Sequence, residues 1–151
     1  MKVLILNGPN LNRLGTRKPE IYGSKTMAQI LLEIQQMWPD VHFVYQQSNH
    51  EGDLIDWIQD AAKPLQDGSS NLQVQGIVLN AGGYSHTSVA LRDAVEECEV
   101  PVVEVHISDI TKREPFRQTS LLTDVCAHSI IGKGTKGYEE AVTYLIAAVG
   151  R

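Results

Sequence analysis

The chain has little of what would place it in a membrane, in a disulfide scaffold or on nucleic acid. No apolar stretch approaches the ~18 consecutive residues that a bilayer-spanning helix needs. The short apolar run at residues 1–6 ends in Asn7-Gly8-Pro9 and lacks the length and small-residue cleavage site of a signal peptide, so it reads as a first strand. Only two cysteines occur, Cys98 and Cys126, in no CxxC pair, so at most one bridge could form. Two reduced thiols in a cytoplasmic protein are the expectation. The net charge of -5 comes without a basic stripe or a run of like charges. That argues against a nucleic acid or an anionic membrane as partner. Metal-ligand patterns are missing too: His42, His50, His86, His106 and His128 lie in separate segments, with no HExxH and no Cys/His cluster. No Walker-type loop is present. Lys2 begins the first strand at the wrong end for a Schiff base, and the other lysines fall in loops or on helices. No metal and no cofactor are expected.

What the chain does contain is an alternation of short apolar runs and helical stripes. Its 151 residues, 42% apolar and 21% charged, suit a single soluble domain over 1–151 with no internal repeat. Residues 3–6 are the first strand. Met27, Ile30, Leu31 and Ile34 recur at i, i+3, i+4 and i+7, the stripe of a helix that Pro39-Asp40 stops. Residues 41–45 form the second strand, and Asn49 is placed as N-cap of a helix burying Leu54, Ile55, Ile58, Ala62 and Leu65. A turn-forming segment at 67–71 leads to the third strand, 77–79. Thr87 or Ser88 caps a helix carrying Val89, Leu91 and Val95, and Pro101 opens the fourth strand, 102–105. A little helix around 113–118 precedes a fifth strand near 127–131, and the last helix buries Val142, Leu145, Ile146 and Val149.

Continuously apolar strands alternating with helices indicate an α/β fold, a parallel sheet covered on both faces. Right-handed crossovers leave few arrangements for such units, and the flavodoxin-like order 2-1-3-4-5 follows, with strands 1, 3 and 4 adjacent. Sheets of this kind bind ligands beyond the carboxyl ends of their strands, near the switch in strand order. There the first strand runs into Asn7-Gly8-Pro9-Asn10, the third into Asn80-Ala81-Gly82-Gly83 and the fourth into Glu104-Val105-His106.

Residues 104 and 106 share a strand face, so their side chains can meet. A carboxylate in a covered sheet needs a partner, and Glu104 holding one imidazole nitrogen would set the tautomer and raise the basicity of His106. The loop at 8–23 carries Arg13, Arg17 and Tyr22 without clear secondary structure, and its length suggests a lid. An arginine beside a tyrosine favours the phenolate. Gly132 to Gly137 matches G-x-G-x-x-G, but the chain ends at Arg151, before the acidic residue that a dinucleotide site wants. It is read as a glycine-rich turn. Asn, Arg, Tyr, Glu and His together suit cofactor-free proton transfer.

These residues also carry a resemblance. Asn7-Gly8-Pro9-Asn10-Leu11-Asn12-Arg13-Leu14-Gly15, followed by Arg17, Pro19 and Tyr22-Gly23, is similar to the opening signature of the type II 3-dehydroquinate dehydratases. Gln47-Ser48-Asn49-His50-Glu51-Gly52, the segment from Asn80 to Ser88, Glu104-Val105-His106-Ile107-Ser108 and Arg113-Glu114-Pro115-Phe116-Arg117 continue it in order, across essentially the whole chain. The resemblance implies a flavodoxin-like, cofactor-free lyase that dehydrates 3-dehydroquinate through an enolate, in shikimate synthesis or quinate breakdown.

It further implies Tyr22 as the base at C2, Arg17 as the lid arginine supporting it, and His106 as the acid at the C1 hydroxyl, oriented by Glu104. Asn10 would help to stabilise the enolate through a bound water. Asn80, His86, Asp93, Ile107, Ser108 and Arg117 would bind substrate, Asp93 from a neighbouring subunit in trimers that assemble into a dodecamer. Two departures are visible: Arg17-Lys18-Pro19 stands where the family commonly has Arg-Glu-Pro, and the segment 67–75 is longer than usual. The alternatives are a non-catalytic flavodoxin-like module that binds a small phosphorylated ligand, and an isomerase or lyase acting on a related hydroxy-keto acid.

Overall fold

Alternate residues of a strand point to opposite faces of its sheet, and the first strand shows both faces to be covered. In β1 (Lys2–Asn7), Val3 and Ile5 are fully buried with Ile30, Ile34, Tyr138, Val142 and Leu145. Leu4 and Leu6, equally buried, face Leu54, Ile58, Leu91 and Val95 on the other side. The computed structural model describes residues 1–62 and 72–150. Besides β1 it contains β2 (His42–Gln47), β3 (Gly76–Asn80), β4 (Val102–His106) and β5 (His128–Ile131). They form one parallel sheet in the order β2-β1-β3-β4-β5, as the strand patterns predicted.

The helices α2 (Met27–Met37) and α5 (Lys136–Val149) cover one face; α3 (Glu51–Ala62) and α4 (Val89–Glu96) cover the other. Helix α2 starts with a capping box: Gln29 N–H donates to Thr26 Oγ1 at 3.3 Å, and Thr26 N–H donates to Gln29 Oε1 at 2.8 Å. It ends at Met37, just ahead of Pro39, whose predecessor disfavours helical angles. Of the two candidate caps for α4, Ser88 is the one used, accepting Leu91 N–H at 2.8 Å. Among the described residues no helix is long and apolar enough to cross a membrane.

Several expectations need correction. Asn49 does not cap α3. Its Oδ1 instead accepts Asn10 N–H at 2.9 Å, while Ser48 Oγ accepts His50 N–H at 2.9 Å and donates to Asp53 Oδ2 at 2.6 Å. The loop at 8–23 is more regular than expected, with a 3-10 turn at Leu11–Arg13 and a single-turn helix α1 (Pro19–Tyr22). Pro19 presets the first helical φ, and Gly23, at φ 82°, ends the turn; four residues are too few to show a 3.6-residue stripe. Val89 is 61% exposed and Val149 37%, because each lies at a helix end beyond the edge of the covering layer. Leu65 and most of the 67–75 segment lie outside the described residues.

Cys98 and Cys126 are free thiols beside Pro101 and Ala127, at the amino ends of β4 and β5. Burial, then the charges of Glu104 and Asp124, push Cys126 up to about 12.

Candidate active site

The strand ends meet as anticipated. Asn7 and Asn80 are register partners on β1 and β3, and β4 delivers Glu104 and His106 beside them. Gly8 lets the first two turns close together: its N–H donates to Asn80 O at 2.7 Å, and a Cβ there would collide with the Ala81 carbonyl. Behind this floor stands Tyr138 of α5, completely buried. Its hydroxyl donates to Asn7 Oδ1 at 2.8 Å and accepts from Asn80 Nδ2 at 3.0 Å. Burial, more than these amides oppose, holds the Tyr138 phenol far above its ordinary value, so it stays neutral. Asn80 Oδ1 accepts Gly82 N–H at 3.2 Å, so this asparagine shapes the turn as well as lining the cleft.

Glu104 is the most heavily hydrogen-bonded side chain of the site. Its Oε1 accepts from His106 Nε2 at 2.6 Å and from Ser120 Oγ; its Oε2 accepts from Ser129 Oγ at 2.7 Å and Thr123 Oγ1 at 2.8 Å. Burial by itself would raise its pKa. The hydrogen bond and charge of His106, then the hydroxyls of Ser120 and Ser129, overcome that and lower it to about 2. Because Nε2 is committed to Glu104, Nδ1 is the ring nitrogen left for chemistry. His86 stands nearby with ring centroids 6.1 Å apart, and its Nδ1–H donates to Thr119 O at 2.8 Å, leaving Nε2 free of that contact.

The loop at 8–23 faces this pair across a cleft of about 160 Å³. Tyr22, half-buried at the end of α1, accepts a hydrogen bond on its hydroxyl from Arg113 Nη1 at 3.2 Å. The same Nη1 reaches Ser108 Oγ at 3.1 Å. Two guanidinium carbons lie near the Tyr22 ring, Arg17 at 5.2 Å and Arg113 at 5.7 Å from its centroid. Glu114 holds both arginines of its segment, Arg117 Nε at 3.0 Å and Arg113 Nε at 3.6 Å. Asn10 keeps a left-handed backbone, φ 69°, fixed by its N–H bond to Asn49.

Of the residues singled out in the sequence, Asn10, Arg17, Tyr22, Asn80, His86, His106, Ile107, Ser108 and Arg117 line this one cleft. Glu104 stands behind His106. Asp93 does not reach the cleft; it lies exposed on α4. Sequence reasoning missed Arg113, whose motif was visible but whose role was left to Arg117, and the hydroxyls around Glu104, which carry no motif of their own. Among the described residues no three His, Cys, Asp or Glu side chains are grouped to hold a metal ion.

Comparison with known proteins shows the fold and the family. The 3-dehydroquinate dehydratase of Bacillus subtilis (strain 168) is 46% identical over 149 residues, covering 97% of this chain and 95% of the relative. That of Azorhizobium caulinodans is 49% identical over 143 residues, covering 93% and 90%. The crystal structure of type II dehydroquinase from Butyrivibrio crossotus DSM 2876 superposes with a TM-score of 0.86 at 40% identity, over 96% of this chain and 97% of that one. The family described as Dehydroquinase class II matches residues 1–146, and with these likenesses the chain belongs to that family.

Proposed function

We propose that the cleft dehydrates 3-dehydroquinate to 3-dehydroshikimate through an enolate, with Tyr22 as base and His106 as acid. Family membership supports the overall reaction and argues against a non-catalytic binding module. The division of labour rests on one observation: a phenol among guanidinium groups and an imidazole backed by a carboxylate face each other across a single cleft.

The steps follow from that arrangement. With Arg113 on its hydroxyl and Arg17 over its ring, Tyr22 acts as the base and takes a proton from C2 on its phenolic oxygen; the C–H electron pair moves into an enolate on the C3 oxygen. Asn10, at the lip of the cleft, stabilises that oxygen through a water. The enolate then collapses, re-forming the C3 carbonyl and making the C1–C2 double bond as the C1–O bond breaks. His106 supplies the proton with which the departing hydroxide leaves as water. Solvent returns the Tyr22 proton to His106. Ser108, Ile107 and Arg117 hold the carboxylate and hydroxyls of the substrate, with His86 and Asn80 opposite.

Asp93 completes the cleft of a neighbouring copy in a trimer, and four trimers form a dodecamer. Light scattering combined with an activity assay tests this last point; a fully active monomer would remove Asp93 from the site. For the reaction itself, growth of the conjugated enone absorbance is followed with 3-dehydroquinate. Turnover that needs both Tyr22 and His106 is expected, and binding without turnover would overturn the assignment.

A further inference from the structure

Three hydroxyls from two separate segments converge on a carboxylate that never touches the cleft. Ser129 lies on β5 as the register partner of Glu104. Ser120 and Thr123 come from the connection between the turn at Pro115–Arg117 and β5. With His106 they supply four donors, two to each carboxylate oxygen. An ionised carboxylate has about four lone-pair positions, so Glu104 has none left.

We propose that Ser120, Thr123 and Ser129 are positioning residues for the elimination step: by occupying every acceptor direction of Glu104 except the one aimed at His106, they hold that imidazole with Nε2–H on the carboxylate and Nδ1 toward the departing hydroxyl. The proposal rests on the reading of His106 as the acid. The terminal torsion of a glutamate is soft and roughly two-fold, so a carboxylate bonded to His106 alone would swing and take the ring with it. Donors on both oxygens remove that freedom. They also keep Glu104 anionic despite complete burial, so that it accepts from Nε2–H and leaves Nδ1 as the ring nitrogen that faces the cleft.

The same segment orients the second imidazole of the cleft, because Thr119 O accepts from His86 Nδ1. It is anchored in turn by Leu121 N–H, which donates to Ser85 O at 2.7 Å. Residues 119–123 thus set the aim of both histidines from behind.

Single variants of the assembled enzyme separate this from a purely structural role. Thr123→Val keeps the shape and removes the hydroxyl; Ser129→Ala does the same from β5. Thr123→Ser and Ser129→Thr retain it. Each is assayed in deuterated water for dehydration and for deuterium entering C2 of unreacted substrate, with His106→Ala as reference. Loss of a hydrogen bond to a charged group predicts that kcat falls about tenfold or more. KM should stay within about twofold if binding is unaffected, and C2 exchange should rise relative to dehydration, as in His106→Ala. The hydroxyl-retaining variants should restore the ratio. Should Ser129→Ala not fold, Thr123→Val, at a partly exposed position, carries the test. If His106→Ala exchanges without dehydrating while the hydroxyl variants keep the wild-type ratio, the positioning role is wrong and the acid assignment stands. If His106→Ala gives no exchange, the acid assignment itself fails and the proposal with it.

Discussion

The two sides of the cleft are built by different means. His106 ends β4, inside the sheet, 5% exposed and fixed through a carboxylate with a full set of donors. Tyr22 ends a four-residue helix on a connecting loop, half-buried, held by one guanidinium on its hydroxyl and another over its ring. Hydrogen bonds to a buried charge are each worth about 1.5–3 kcal/mol, whereas a cation over an exposed ring contributes about 0.5–1 kcal/mol. His106, the proposed acid, is therefore part of the sheet, and Tyr22, the proposed base, belongs to a connecting segment outside it.

The sharpest way to break this contrast is Tyr22→Phe. The ring stays for Arg17 and for packing, but the proton acceptor is gone, so kcat should fall about 10²–10⁴-fold. Stability should change little, since one partly exposed hydrogen bond is worth about 1 kcal/mol and about 2–4 °C in a chain of this size. Turnover assays with parallel thermal melts check both halves. Near-normal kcat would return Tyr22 to a packing role.

Glu104→Gln should behave in the opposite way, losing fold stability along with activity. Replacing a buried carboxylate that holds four donors costs about 3 kcal/mol, or roughly 6–12 °C in melting temperature. The loss should depend on pH in a stated direction. Glu104 is lowered in the folded protein to about 2 from an ordinary 4.5. Its stabilisation is therefore complete above about pH 4.5 and lost as pH falls toward 2. Urea midpoints of wild type and Glu104→Gln should lie far apart at pH 7 and approach one another near pH 2 to 3. A gap that does not change with pH would show that the carboxylate charge contributes nothing to the fold.

The same contrast explains what could be read in the sequence. Strand order, the covered faces of the sheet and the Glu104–His106 pair were legible because continuous apolar runs and an i, i+2 spacing on a strand are local signals with one structural meaning. Helix α1 and the real role of Asn49 were not, because four residues carry no period and an asparagine ahead of a helix suits a cap and a loop brace equally well. Arg113 was hidden for another reason. Its contact with Tyr22 joins residues 91 apart in sequence, and nothing near either of them announces it. The hydroxyls on Glu104 lie 16, 19 and 25 residues away from it, on a turn and an edge strand whose patterns are otherwise unremarkable. Strand ends point to Asn10, Asn80 and His106 and the long loop to Arg17 and Tyr22, while the resemblance adds His86, Ile107, Ser108 and Arg117; the contacts that aim them needed coordinates.

Asn49→Ala gives the smallest expected effect and probes the seam between the two halves. Asn49 Oδ1 accepts Asn10 N–H at 2.9 Å and Gln47 Nε2 at 3.3 Å, and its own carbonyl receives the Tyr84 hydroxyl at 2.7 Å. It thereby ties the start of the loop at 8–23 to the carboxyl end of β2. Asn10 sits at φ 69°, a conformation costly enough for a residue other than glycine to need an outside hold. Removing the acceptor frees one backbone N–H at an exposed position where water can replace it, so the cost is about 1 kcal/mol at most. Expressed wholly in the transition state, that is about a fivefold fall in kcat. Melting temperature should drop by only about 2–4 °C. Asn49→Asp keeps an acceptor of the same shape and should recover kcat, while its added charge beside an anion-binding cleft should raise KM. If Asn49→Ala instead loses as much activity as Tyr22→Phe, the lid is not a separately mobile element, and β2 fixes the base as firmly as β4 fixes the acid.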